Sequence, residues 1–176
     1  MIFRETKLKG AFVIEIEEFK DDRGFFARTW CKREFSSHGL KSDLAQCSVS
    51  FNHKAGTLRG LHYQADPYQE AKLVRCSAGA IYDVIVDLRR ESNTYTGWIA
   101  TELDARNHRM VYVPEGFAHG FQTLEDDTEV VYQISEFHEP DYAKGIRWND
   151  PALGIQWPTA DRIISTRDAA YPDFVR

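Results

Sequence analysis

The chain has 176 residues, with 22 Lys and Arg against 27 Asp and Glu for a net charge of −5; 43% of positions are hydrophobic and 28% charged. Such proportions belong to a globular chain about one domain long and exclude a disordered polymer. The acidic balance argues against a nucleic-acid partner, which needs clustered Lys and Arg to neutralise phosphate, and no stretch approaches the ~18 consecutive apolar residues of a membrane helix.

The opening residues, Met1-Ile2-Phe3-Arg4-Glu5-Thr6-Lys7, lack the basic-then-apolar layout of a signal peptide, so a cytoplasmic protein with no membrane contact is expected. The first strand signal is the alternation from Phe12 to Ile16, followed by a turn signal at Asp21-Asp22-Arg23-Gly24. A short helix is predicted over Lys32 to His38, stopped by Gly39. Further period-two runs span 81–88, 110–113 and 129–134, separated by turns at 77–79, 114–116 and 125–127. From about Asn149 the composition shifts to Pro, Gly and Trp; this tail is expected to wrap the strands without adding any, with a helical turn or two after Pro151. The pattern predicts an all-β sandwich or barrel with a few short helices and excludes a doubly wound α/β fold. No internal repeat or linker supports a second domain. Cys31, Cys47 and Cys76 are odd in number and show no C-x-x-C spacing, which predicts reduced, structural thiols. Walker, G-x-G-x-x-G and H-E-x-x-H motifs are absent.

Two stretches are candidates for chemistry. In Leu58-Arg59-Gly60-Leu61-His62-Tyr63-Gln64, followed by Lys72-Leu73-Val74-Arg75, a histidine lies between two cations on strand-like text. One reading is a half-buried, hydrogen-bonded His62 with Arg59 at the surface and Lys72 guarding a strand edge; the other is a site. In Pro114-Glu115-Gly116-Phe117-Ala118-His119-Gly120-Phe121, alternation puts His119 on the face of Phe117 and Phe121. A lone histidine there is more often a satisfied core residue than a ligand. A hairpin through Glu125-Asp126-Asp127 is expected to bring Tyr132 near His119, although a buried tyrosine is also common in ordinary cores. Strict alternation sets Arg59 and His62 on opposite faces of a regular strand; a bulge or bend at Gly60 would bring them together, and otherwise Arg59 points elsewhere.

The glycine-histidine strand followed by P-x-G-x-x-H is similar to the paired motifs of the cupin superfamily, which implies a jelly roll with a site in its mouth. Metal-binding cupins carry H-x-H and a Glu in the first motif. Here Gln64 replaces the second histidine and Lys72 follows Glu70, so no metal or other cofactor is expected. The order of Arg23-Gly24-Phe25-Phe26, Leu58 to Gln64, Lys72 to Arg75, Gly116 to Phe121, Trp148-Asn149-Asp150-Pro151 and Ser165-Thr166-Arg167-Asp168 resembles the dTDP-4-dehydrorhamnose 3,5-epimerase family, a cofactor-independent cupin branch, from about Lys7 to Asp168.

This resemblance implies epimerisation at C3 and/or C5 of a nucleotide-linked 4-keto-6-deoxyhexose. His62 would be the base, oriented by Asp168, with Lys72 beside the C4 oxygen and Tyr132 as the acid on the opposite face. A free imidazole titrates near neutral pH, which suits the base. Arg59 and Arg23 would grip the diphosphate, Arg23 from the partner subunit of a homodimer. Phe26, Arg28, Gln46, Ser48, His119, Phe137, His138 and Arg167 complete the implied substrate site. The domain is expected to cover 1–176, with a core over about 45–136, residues 1–44 in dimer contact and a C-terminal wrap over 137–176. Arg28 stands where the family usually has Glu and Ser48 where it has Asn; Phe137-His138 replaces a tyrosine pair. These departures fall in the nucleoside part of the site and put thymine specificity in question. Two alternatives remain: a metal cupin using His62, Gln64, Glu70 and His119, and a non-catalytic sugar-nucleotide-binding cupin.

Overall fold

The run Ile81-Tyr82-Asp83-Val84-Ile85-Val86-Asp87 alternates between two sets of side chains, and each needs its own apolar cover. In the computed structural model, which describes residues 1–175, this run is strand β8 (Ala80–Asp87), and both of its faces are covered. One face meets a second sheet: Ile81 and Ile85 pack with Phe117, Phe121, Val74, Val111 and Val130 in the core between the sheets. On the other face, Val84 and Val86 pack with Leu61, Ala118, Ile146, Leu153 and Ile155. Burying each such side chain contributes about 2 kcal/mol, which makes this strand the anchor of the fold.

Around it stand β6 (Thr57–Gln64), β11 (Phe117–Thr123), β9 (Trp98–Asp104) and β13 (Ala143–Gly145), in the order β13-β6-β11-β8-β9, with β14 (Ile163–Ile164) parallel to β6. The facing sheet has the order β1-β2-β10-β7-β12-β5, from β1 (Ile2–Glu5), β2 (Phe12–Glu15), β10 (Met110–Val113), β7 (Lys72–Ala78), β12 (Thr128–Ile134) and β5 (Gln46–Asn52). A separate hairpin joins β3 (Phe19–Asp21) to β4 (Gly24–Phe26). The helices are α1 (Lys32–Ser37) and α2 (Thr166–Ala169). Phe35 docks α1 by packing its ring against Phe3 and Tyr112.

Two expectations are corrected. The turn at Glu125-Asp126-Asp127 does not close a hairpin, because β11 and β12 lie in different sheets. It carries the chain across the sandwich, so His119 and Tyr132 meet between the sheets, with ring centroids 5.9 Å apart and planes at 77°. The tail expected only to wrap also contributes β14 to the edge at β6.

Candidate active site

Regular alternation on β6 fails at Gly60. His119 pairs with His62 and Phe121 with Arg59, so β6 spends one residue more than β11 over this interval. Gly60 has φ +108°, and a Cβ there would lie 2.7 Å from the backbone of His119 and Gly120, so only glycine permits the approach. The bulge puts Arg59 and His62 on one side, and both line a cavity of about 410 Å³ between the sheets. That volume lies within the range of small-molecule sites.

Behind His62 stands Asp168. Its backbone N–H donates to the Ser165 side chain at 3.0 Å, which caps the start of α2 and fixes the carboxylate's position. One carboxylate oxygen meets His62 Nε2 at 2.9 Å, and the other accepts the Gly60 N–H at 3.0 Å. Burial pushes the Asp168 carboxyl up, but these hydrogen bonds outweigh it and hold the group below the usual carboxylate range. An ionised carboxylate only accepts, so Nε2 carries the proton and Nδ1 is left as the basic nitrogen of neutral His62. The His62 ring is 42% exposed while Asp168 is buried, so the imidazole is reachable and its carboxylate partner is not.

The opposite wall comes from the other sheet. Tyr132 on β12 lines the same cavity. Burial and then the charge of Asp83 raise its hydroxyl's pKa, against a smaller opposing effect of Arg59, so the phenol keeps its proton. His119, beside Tyr132, is itself buried and bound through Nε2 to Asp83 at 2.6 Å. Lys72 Nζ is paired with Glu70 at 2.8 Å on the cavity wall, both side chains 11% exposed. Arg59 is steadied by donating from Nε to Asn52 Oδ1 at 2.7 Å. The lining also includes Gln46, Ser48, His138 and Arg167; Gln46 accepts the His138 backbone N–H at 2.7 Å.

Four residues assigned to the site stand apart from this cavity. Arg23 is at the β3–β4 turn, 89% exposed and paired with Asp21 of its own hairpin. Phe26 is exposed on the same hairpin, and Arg28 pairs with Glu34 at 3.1 Å. The exposed Phe137 is off the lining; its carbonyl accepts from Gln64 Nε2 at 3.1 Å and its N–H donates to Glu136 Oε1 at 2.8 Å.

The metal-cupin candidates His62, Gln64, Glu70 and His119 all line the cavity, but each is committed elsewhere. Gln64 donates to the carbonyls of Tyr68 and Phe137 and accepts from the Glu139 N–H, which makes it a brace for the loop after β12. His62, His119 and Glu70 are each tied to a different partner. Among the described residues no three His, Cys, Asp or Glu side chains are gathered to hold an ion. This donor set does not fit a cupin metal.

Asp83 and Lys144, a further cation on the lining, are absent from the sequence-derived site. For Asp83 a signal existed: alternation places it on the apolar face of Ile81 and Ile85, where a carboxylate needs a partner. Lys144 follows text with no strand signal.

Two facing sheets with the cavity between them define a cupin-type jelly roll. The chain belongs to the dTDP-4-dehydrorhamnose 3,5-epimerase family, whose description matches residues 5–176. It is 44% identical over 169 residues to the dTDP-4-dehydrorhamnose 3,5-epimerase of Methanothermobacter thermautotrophicus, covering 94% of this chain and 90% of that one. Its counterpart from Shigella flexneri is 39% identical, with 97% and 94% covered. A crystal structure of the Bacillus anthracis enzyme with TDP and PPi bound superposes with a TM-score of 0.94 at 42% identity, over 98% of this chain and 99% of that one. The Streptomyces bikiniensis 3'-monoepimerase ChmJ, in complex with dTDP-quinovose, gives 0.88 at 32% identity, covering 96% and 85%.

Proposed function

We propose that this isomerase inverts C3 and/or C5 of a nucleotide-linked 4-keto-6-deoxyhexose, by proton removal at His62 and proton return from Tyr132. The observation that carries this reading is the placement of those two residues on opposite sheets around one cavity, with Asp168 2.9 Å behind His62. Carbons 3 and 5 flank the C4 ketone, so loss of either proton gives an enolate whose charge rests on the C4 oxygen. His62 Nδ1 takes the proton, and Asp168 stabilises the imidazolium formed. The Lys72 ammonium supports the developing oxyanion. Tyr132 delivers its proton to the other face of the planar enolate, which is the inversion.

A diphosphate finds Arg59, Lys144 and Arg167 on the lining. The nucleoside part of the site is assigned to Gln46, Ser48, Phe137 and His138. Arg23, Phe26 and Arg28 act from the partner subunit of a homodimer; in support, Phe19 and Phe26 are 69% and 74% exposed on a hairpin outside both sheets. One domain over 1–176 is part of the reading, Arg176 lying outside the described residues, with residues 1–44 in that dimer contact. A cytoplasmic location is part of the reading; no helix among the described residues is long and apolar enough to cross a membrane.

The test is to supply purified protein with a dTDP-linked 4-keto-6-deoxyglucose and follow the sugar by proton NMR. Inversion at C3, C5 or both is expected. A sugar that keeps both configurations and exchanges neither proton with solvent, while still binding, supports the non-catalytic module instead.

A further inference from the structure

Beyond Asp168, the C-terminal segment carries a second group against the base. The Tyr171 ring lies edge-on to His62, with centroids 6.0 Å apart and planes at 74°. It rests on Gly145 of β13, the residue paired with His62 across the sheet edge. A Cβ built on Gly145 would lie 2.1 Å from the Tyr171 ring, so the ring sits directly on a bare backbone. The segment is tied down on both sides of that contact. Asp168 precedes it, held to His62 and Gly60; beyond it, the Phe174 N–H donates to the buried Asp150 and Asp173 pairs with Arg147. Arg167 stacks 6.0 Å over the same ring from the cavity side. The Tyr171 hydroxyl is buried with no hydrogen-bond partner among the described residues, so the contact is made by the ring and not by the polar tip.

We propose that Tyr171, seated on Gly145, is a positioning residue that holds α2 and the edge of the His62 imidazole in register, so that Asp168 and His62 keep their contact through turnover. The proposal rests on the epimerase reading for its kinetic consequence and on geometry alone for its structural one. Displacement of a supporting group by about 1 Å can cost on the order of 100-fold in rate. A ring pressed on backbone leaves the glycine no room for even one methyl.

The test uses full-length protein labelled with 15N-histidine, without substrate. The His62 Nε2–H resonance is identified by its loss in His62→Asn. Tyr171→Phe keeps the ring, so the resonance and a kcat within about twofold of wild type are expected. Tyr171→Ala and Gly145→Ala should broaden or erase the resonance and lower kcat about tenfold, with KM changed far less. Because both act on one contact, the double variant should be no worse than Tyr171→Ala. Tyr171→Leu keeps an apolar side chain for folding but loses the planar ring, so the same losses are expected of it, and it serves if the alanine variant does not fold. A wild-type resonance and kcat in folded Tyr171→Ala or Tyr171→Leu overturns the proposal, as does a Tyr171→Phe as impaired as the alanine variant. If the resonance responds as expected in a protein with no epimerase activity, the functional reading fails while the positioning role stands.

Discussion

His62 and His119 are paired residues on adjacent antiparallel strands, yet each turns to a different carboxylate, His62 to Asp168 and His119 to Asp83. The pairs differ in exposure. The His119–Asp83 pair is 4% and 1% exposed, whereas the His62 ring is 42% open. Removing His119 strands a buried carboxylate, so His119→Ala should cost about 3–5 kcal/mol of stability. His62→Asn should cost about 1 kcal/mol while abolishing turnover. Urea unfolding of the two variants beside wild type checks both numbers.

Asp87 supplies an acid-stability signature away from the site. Burial would push its carboxyl up, but hydrogen bonds from Arg89, Ser92 and Thr94 outweigh it and hold the group at about 2. A pKa depressed on folding gives stability that is present above the unfolded value near ~3.9 and lost as pH falls through the folded one. The contribution is about 2 kcal/mol, disappearing between about pH 4 and pH 2. Unfolding free energies should fall less steeply over that window in Asp87→Asn than in wild type.

The three thiols should separate by accessibility. Cys47 is exposed, whereas Cys76 is buried and its thiol is pushed up to about 11, burial being the main cause. Since the thiolate is the reactive form, iodoacetamide at pH 8 should label Cys47 in the native protein and reach Cys76 only after denaturation. Peptide mass mapping reads this directly.

The hairpin bearing Arg23 makes no contribution to the cavity of its own chain, so its assigned role requires a neighbour. Arg23→Ala should raise KM for the nucleotide sugar about tenfold or more, the scale of one lost charge-assisted contact of ~1.5–3 kcal/mol, with little change in kcat. Analytical ultracentrifugation should show a dimer. A fully active 20.3 kDa monomer would remove this part of the account.

Much of the architecture follows from period two. The run at β8 and the P-x-G-x-x-H turn into β11 identify strands because alternation is local and one-dimensional. Once the resemblance puts Arg59 and His62 in one site, their odd spacing leaves a bulge or bend at Gly60 or an Arg59 turned elsewhere, because an even number of steps is needed to share a face; the structure has the bulge. What local text does not encode is which sheet a strand joins. The acidic turn at 125–127 reads as a hairpin although it crosses the sandwich. Asp168 and His62 are 106 positions apart, and only the family resemblance linked them. Tyr171 on Gly145 has no motif at all, since a ring on a bare glycine is a contact of the folded surface and not of any spacing.

Deuterium incorporation in D2O tests the acid–base assignment most directly, with wild type, His62→Asn and Tyr132→Phe compared by proton NMR and mass spectrometry of a 4-keto-6-deoxy sugar nucleotide. Wild type should exchange and invert together. His62→Asn should do neither, since an amide supplies no base in place of Nδ1. Tyr132→Phe should retain exchange at C5 with little or no inversion there, because abstraction survives and the proton returns to the face it left. Wild-type exchange in a folded His62→Asn variant would contradict the account.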